Sequence, residues 1–125
     1  RIKPGITTEQ VSVTMDWTAT ILQAAGAKAD PGYPLDGIDL MPIMTGKEQP
    51  VDRTLYWRTF QRTKYKAIRD GNWKYLYDGK DEFLFDLSKD QQEKNDLKQQ
   101  NEKKLNELKT KFMEWEKIML KPIPL

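Results

Sequence analysis

The chain has 125 residues, 38% apolar and 32% charged, with a net charge of +2. That length predicts one domain burying about two thirds of its unfolded surface. The charge is too small to demand a polyanion partner, and no apolar run approaches the ~18 residues of a membrane span. Cysteine and histidine are both absent, so these residues supply no disulfide, thiolate nucleophile or Cys zinc site, and not the commonest general base.

The opening RIKPGITTEQ has no apolar h-region and is not expected to be a signal peptide. A mature protein, or a piece cut from a longer one, could begin this way. In VSVTMDWTATILQAAGA, Val11 and Val13 alternate with polar residues, which predicts a short strand running into a helix. Asp16 is placed as its N-cap, Trp17, Thr20, Ile21 and Ala24 as its packing stripe, and Gly26 as its C-cap. Such a helix is too short to stand without a surface to pack on.

Residues 27–52 read as a long loop, punctuated by Pro31, Gly32, Pro34, Asp36-Gly37, Pro42, Gly46 and Pro50. The apolar residues of LDGIDLMPIMTG should anchor it, with one turn at Leu40 to Met44. So long a connection suggests a boundary between structural layers.

From 53 to 87 the period becomes two. RTLYWRTF, YKAIRD, NWKYLYD and EFLFDL are strand candidates, joined in the later part by Asp70-Gly71-Asn72 and Asp78-Gly79-Lys80 turns. The last three predict an antiparallel meander with Trp73, Tyr75 and Tyr77 on one face and Lys74 and Leu76 on the other. Residues 91–120 then carry Leu105, Leu108, Phe112, Trp115 and Met119 on one helical stripe. The fold class predicted is α+β: an antiparallel four-stranded sheet covered by a long C-terminal amphipathic helix, preceded by a short strand-helix segment and a long loop. The stripe spans too few heptads for a coiled coil.

The acids of FLFDLSKDQQEKNDL, with Glu82 upstream, could bind a metal or start the helix. Asp90 and Glu93 form a D-x-x-E variant of the capping box at the predicted helix start. Neither DGKDE nor DLSKD has the alternating acids, central Gly and terminal Glu of a calcium loop. Capping is the preferred reading.

Arg53, Arg58, Arg62, Lys64, Lys66, Arg69 and Lys74 face a single acid, Asp70, across a stretch interleaved with aromatic residues. Sheets bind single-stranded nucleic acid with such surfaces. The alternation instead predicts that the rings pack a core while the cations are solvated; no RNP-type motif is present, and nucleic acid is not expected as a partner. Ser12 and Ser88 lack elbow glycines and an activating His, and no phosphate loop occurs.

Four segments together resemble the C-terminal part of arylsulfatase-type sulfatases in the alkaline phosphatase superfamily. RIKPGITTEQVSVTMDWTATILQAAG is similar to a P-G turn, strand and D-x-x-P-T-x-x-x-x-x-G helix, and LDGIDLMPIMTG to L-D-G-x-x-L-x-P-x-L-x-G. KAIRDGNWKYLY is similar to an R-x-G-x-W-K strand pair, and FLFDLSKDQQEKNDL to L-Y-D-L-x-x-D-P-x-E-x-x-N-L. Ala19 and Gln91 stand where the family usually has Pro. The resemblance implies a sulfate-ester hydrolase, acting on sulfated sugars or aryl sulfates, that uses calcium and a formylglycine made from C/S-x-P-x-R. That motif is absent here, and no matched position is a catalytic or metal residue of the family. Residues 1–48 would be the tail of the large α/β domain and 49–125 the C-terminal sheet-and-helix subdomain. The chain alone is then expected to be inactive, its partners being the N-terminal catalytic domain and a sulfated small molecule or glycan, with self-association in isolation. By the same resemblance the enzyme would be exported, periplasmic or extracellular in a bacterium. Trp57, Arg58, Arg62 and Lys64, around the loop FQRTKY, are the candidate substrate-binding residues at the cleft rim. The alternatives are a stand-alone polyanion- or nucleic-acid-binding module, and part of a phosphate or phosphonate ester hydrolase of the same superfamily.

Overall fold

The structure, a computed structural model, describes residues 2–60 and 64–120. The chain divides into two compact units, Arg1–Asp52 and Arg53–Leu125, where length alone suggested one domain.

In the first unit, helix α1 (Thr14–Ala24) follows Val13, the extended N-cap residue. The predicted strand at Val11 to Val13 does not form; extended backbone becomes a strand only with a ladder partner, and the Val13 N–H is taken instead by the Asp16 carboxylate, at 2.8 Å. Asp16 is therefore the third helical residue, reaching back to the cap, and not the N-cap itself. The helix ends as expected from Gly26, which sits one residue past the cap at φ +70°. Its N–H bonds Gln23 O at 3.1 Å and that of Ala27 bonds Leu22 O at 2.9 Å, closing a Schellman motif.

The buried side of α1 is Asp16, Ala19 and Thr20. Trp17 and Ile21, expected on the packing stripe, are 49% and 63% exposed. The long loop is fastened to the buried side by hydrogen bonds: Ile38 N–H to Asp16 Oδ1 at 3.0 Å and Leu40 N–H to Thr20 Oγ1 at 2.8 Å. The turn anticipated near Leu40 is helix α2 (Met41–Met44), with Leu40 and Ile43 buried. Gln10 closes the unit, its side chain accepting from Val51 N–H at 2.7 Å and donating to Val51 O at 3.2 Å.

The second unit is α+β. Strands β1 (Thr54–Arg58), β2 (Lys66–Asp70), β3 (Trp73–Tyr77) and β4 (Glu82–Asp86) form one antiparallel sheet in the order 1-2-3-4. Tyr56, Ile68, Tyr75 and Leu84 line up across it in register. Helix α3 (Glu102–Ile118) lies over that row, burying Leu105, Leu108 and Phe112 against Ile68, Tyr75 and Leu84. Trp73, Tyr77, Leu97 and Trp115 border this core.

The start of α3 departs from expectation by about three turns: its N-cap is Asn101, not Asp90. Glu93 has φ +55°, which stops a helix there. Its carboxylate takes the Lys74 ammonium at 2.6 Å, a partner 19 residues away. Asp90 accepts the Asn95 N–H at 2.7 Å. The segment between β4 and α3 instead occupies the outward-facing polar groups of β4. Lys98 Nζ donates to Glu82 O at 2.9 Å. Leu84 N–H donates to Asp96 Oδ1 at 3.1 Å, and Leu84 O accepts from Leu97 N–H at 2.8 Å. Asp86 O accepts from the N–H groups of Lys89 and Asp90 at 3.1 and 2.9 Å. The acids of this stretch thus do not form a capping box, and among the described residues no three of them cluster.

Acid sensitivity follows from how the carboxylates are held. The Lys111 hydrogen bond holds Asp70 below the usual carboxylate range against the opposing effect of burial, and Lys109 does the same for Glu82. Folded pKa values depressed below unfolded ones, ~3.9 for Asp and ~4.3 for Glu, stabilise fully above those values and lose the effect as pH falls through the folded ones. With no histidine, thermal denaturation should give a nearly constant Tm from pH 6 to 8 and a falling Tm below about pH 4. A step in Tm between pH 6 and 7 would contradict this.

Candidate functional site

The β1–β2 connection is closed at its base by Thr59 N–H to Tyr65 O, 2.9 Å, and Tyr65 N–H to Thr59 Oγ1, 3.2 Å. Alternation along β1 sends neighbouring candidates to opposite faces. Trp57 is 41% exposed on the face away from α3. Arg58 turns toward α3, its guanidinium carbon 5.0 Å from the Phe60 ring centroid and 5.6 Å from that of Trp115, and it donates to the Leu120 carbonyl. Lys64 is exposed; Arg62 lies outside the described residues. The structure therefore brings Arg58 to aromatic rings and a carbonyl, and does not bring it to Trp57.

Several other cations of the basic stretch are engaged within the unit. Lys66 pairs with Glu116 at 2.7 Å and Lys74 with Glu93 at 2.6 Å, while Arg69 Nε donates to Gly71 O at 3.0 Å. This favours a core-and-solvent division over a continuous polyanion surface.

Register reveals a feature that sequence reading missed. Lys66, Tyr77 and Glu82 are lateral neighbours at one end of the sheet. With Tyr75, Lys109, Phe112 and Met113 they line an open crevice of about 220 Å³. Pairing distances across two hairpins would have exposed this grouping. Its chemistry is not that of a proton-transfer site: burial and Glu82 push the Tyr75 phenol up, and Lys109 holds Glu82 ionised. The donor sets also do not fit calcium. Asp86, Asp90 and Asp96 are each committed to nearby backbone N–H groups, Glu82 and Glu93 to lysines, and among the described residues no three acids converge.

No family model matches the chain. Over 99 residues it is 34% identical to a choline-sulfatase of Rhizobium meliloti (strain 1021), a match covering 77% of this chain and 19% of that protein. Among solved structures it superposes on Ps i-CgsB in complex with k-i-k-neocarrahexaose, with TM-score 0.67 and 28% identity, covering 80% of this chain and 23% of the other. A 2-O GAG sulfatase gives TM-score 0.61 at 24% identity, over 80% and 23% of the two chains, a likeness of fold. The chain is homologous to sulfatases, over the C-terminal-like region of a larger protein. It spans about a fifth of the curated relative and about a quarter of these solved chains.

Proposed function

We propose that this chain is the C-terminal part of a sulfate-ester hydrolase acting on sulfated sugars or aryl sulfates. The observation that supports this most is the 34% identity to a choline-sulfatase over 77% of the chain. In this reading residues 1–48 complete the large α/β domain and residues 49–125 form the accessory sheet-and-helix lobe. The nucleophile, a formylglycine, and the calcium that polarises the sulfate belong to the rest of the enzyme. This chain's residues support the fold and furnish the β1–β2 connection to the cleft rim, where Lys64 offers a cation to an anionic sugar. The exposed Trp17 and Ile21 of α1 are where the catalytic part packs, and the same face promotes self-association when the chain is isolated.

Two assays test the reading. The whole enzyme from the same gene should release sulfate from an aryl sulfate with calcium present, and faster than it releases phosphate from the matching phosphate ester; the reverse preference would move it to the phosphate-acting branch of the superfamily. The 125-residue chain should show no turnover of the aryl sulfate under the same conditions. Turnover by the chain alone would overturn the placement of the catalytic groups. Heparin retention of the chain that persists at physiological salt would point instead to a polyanion-binding module, since simple charge attraction collapses as salt rises.

A further inference from the structure

The side chains around Arg58 form one continuous row of ring contacts. Tyr56, on the core face of β1, lies parallel to Trp115 with ring centroids 4.8 Å apart and 7° between planes. Trp115 also meets Phe112 at 5.3 Å, so the row begins in the core under α3. The Arg58 guanidinium lies within cation–π range of both Trp115 and Phe60. Phe60 is in the β1–β2 connection, one residue past Thr59, whose N–H closes the base of that connection. The order is therefore core, helix end, arginine, loop. Arg58 additionally holds the Leu120 carbonyl just past α3. A planar guanidinium can face two rings and donate in its own plane at once, which an ammonium cannot.

We infer that Arg58 is a positioning residue: it clamps Thr59 and Phe60, where the chain leaves β1, to the end of α3 and, through the Thr59–Tyr65 closure, sets the stance of Lys64, the exposed cation that would meet an extended anionic substrate. The clamp rests on geometry within the second unit; its consequence for substrate rests on the function proposed above. Arg58 itself is half-buried against rings and a carbonyl, and its role in this reading is to act through the connection. Large substrates that reach the rim would feel its loss more than small ones confined to the cleft.

Amide hydrogen exchange on the 125-residue chain tests the clamp. In Arg58→Gln the Thr59 and Tyr65 amides should exchange roughly tenfold faster, the scale of two cation–π contacts and one hydrogen bond. Amides of β3 and β4 should be unchanged. The Arg58 δ protons of the wild type should show an upfield ring-current shift, reduced in Trp115→Leu, where Phe60 alone remains, and largely retained in Trp115→Phe. Unaltered exchange at Thr59 and Tyr65, or acceleration spread evenly over β3 and β4, would overturn the clamp. In the whole enzyme Arg58→Gln should raise KM several-fold more for a sulfated oligosaccharide than for a small aryl sulfate. Equal KM changes for both substrates would overturn the positioning role. A whole enzyme with no sulfate-releasing activity would sink the proposed function, and the exchange data would still decide the clamp.

Discussion

Leu108→Ala should destabilise the second unit by about 3–4 kcal/mol, the range for a buried leucine whose neighbours cannot close the gap. Leu108 is fully buried, as are Ile68 and Leu84 across from it, and the cluster is completed by Tyr75, Leu105 and Phe112. The sheet beneath is hydrogen-bonded throughout and cannot settle into the space. A unit of this size holds only a few kcal/mol in reserve, roughly 3–5 by the usual scaling of small cores. The variant should therefore be largely unfolded at 37 °C, read as loss of near-ultraviolet circular dichroism and of the protected β3 amides. Met113→Ala, five residues along and 52% exposed, should change stability by no more than about 0.5 kcal/mol. Equal effects of the two substitutions would mean that α3 does not roof the sheet.

The first unit has a comparably sharp weak point. A Cβ at Gly37 would lie 2.2 Å from Met15 O, 2.5 Å from Met15 C and 2.8 Å from Asp16 N, all backbone atoms of the first turn of α1. Gly37→Ala must therefore push residues 36–38 off the helix. That removes the Ile38 N–H from Asp16 Oδ1, one of the donors to a fully buried carboxylate. Overpacking and the lost charged hydrogen bond together should cost roughly 3 kcal/mol or more. Gly46→Ala, where the new methyl meets nothing within 4 Å but φ is +72°, should cost only about 1 kcal/mol. Exchange protection at Ile38 and Leu40 is the measurement; unchanged protection in Gly37→Ala would refute the close approach.

What could be read from the sequence was local. Period-two alternation with Asp-Gly turns located all four strands, and the Leu105, Leu108, Phe112 stripe located the face of α3, because both signals lie within a few residues of each other. The errors lie where a distant partner decided. Glu93 looked like a capping acid until Lys74 claimed it across 19 residues. Asp16 looked like an N-cap from local pattern alone, but it is the third helical residue, one oxygen serving Val13 N–H and the other Ile38 N–H, 22 residues on. Trp17 and Ile21 follow helical spacing and stand exposed, while the buried side of α1 is Asp16, Ala19 and Thr20. At the candidate site, Trp57 and Arg58 are neighbours in sequence, and the pleat sends them to opposite faces of the sheet. The row of rings around Arg58 depends on Trp115, on another element, and no local pattern marks it.

The outer border of β4 has a consequence for assembly. With the carbonyls of Glu82, Leu84 and Asp86 and the N–H of Leu84 already satisfied by the segment that follows, that margin offers no template for an incoming chain. Accretion by strand exchange could proceed at most through the opposite margin, along β1. Two molecules pairing there would present only β4 margins outward and stop at a pair, so this unit is built to resist fibril growth.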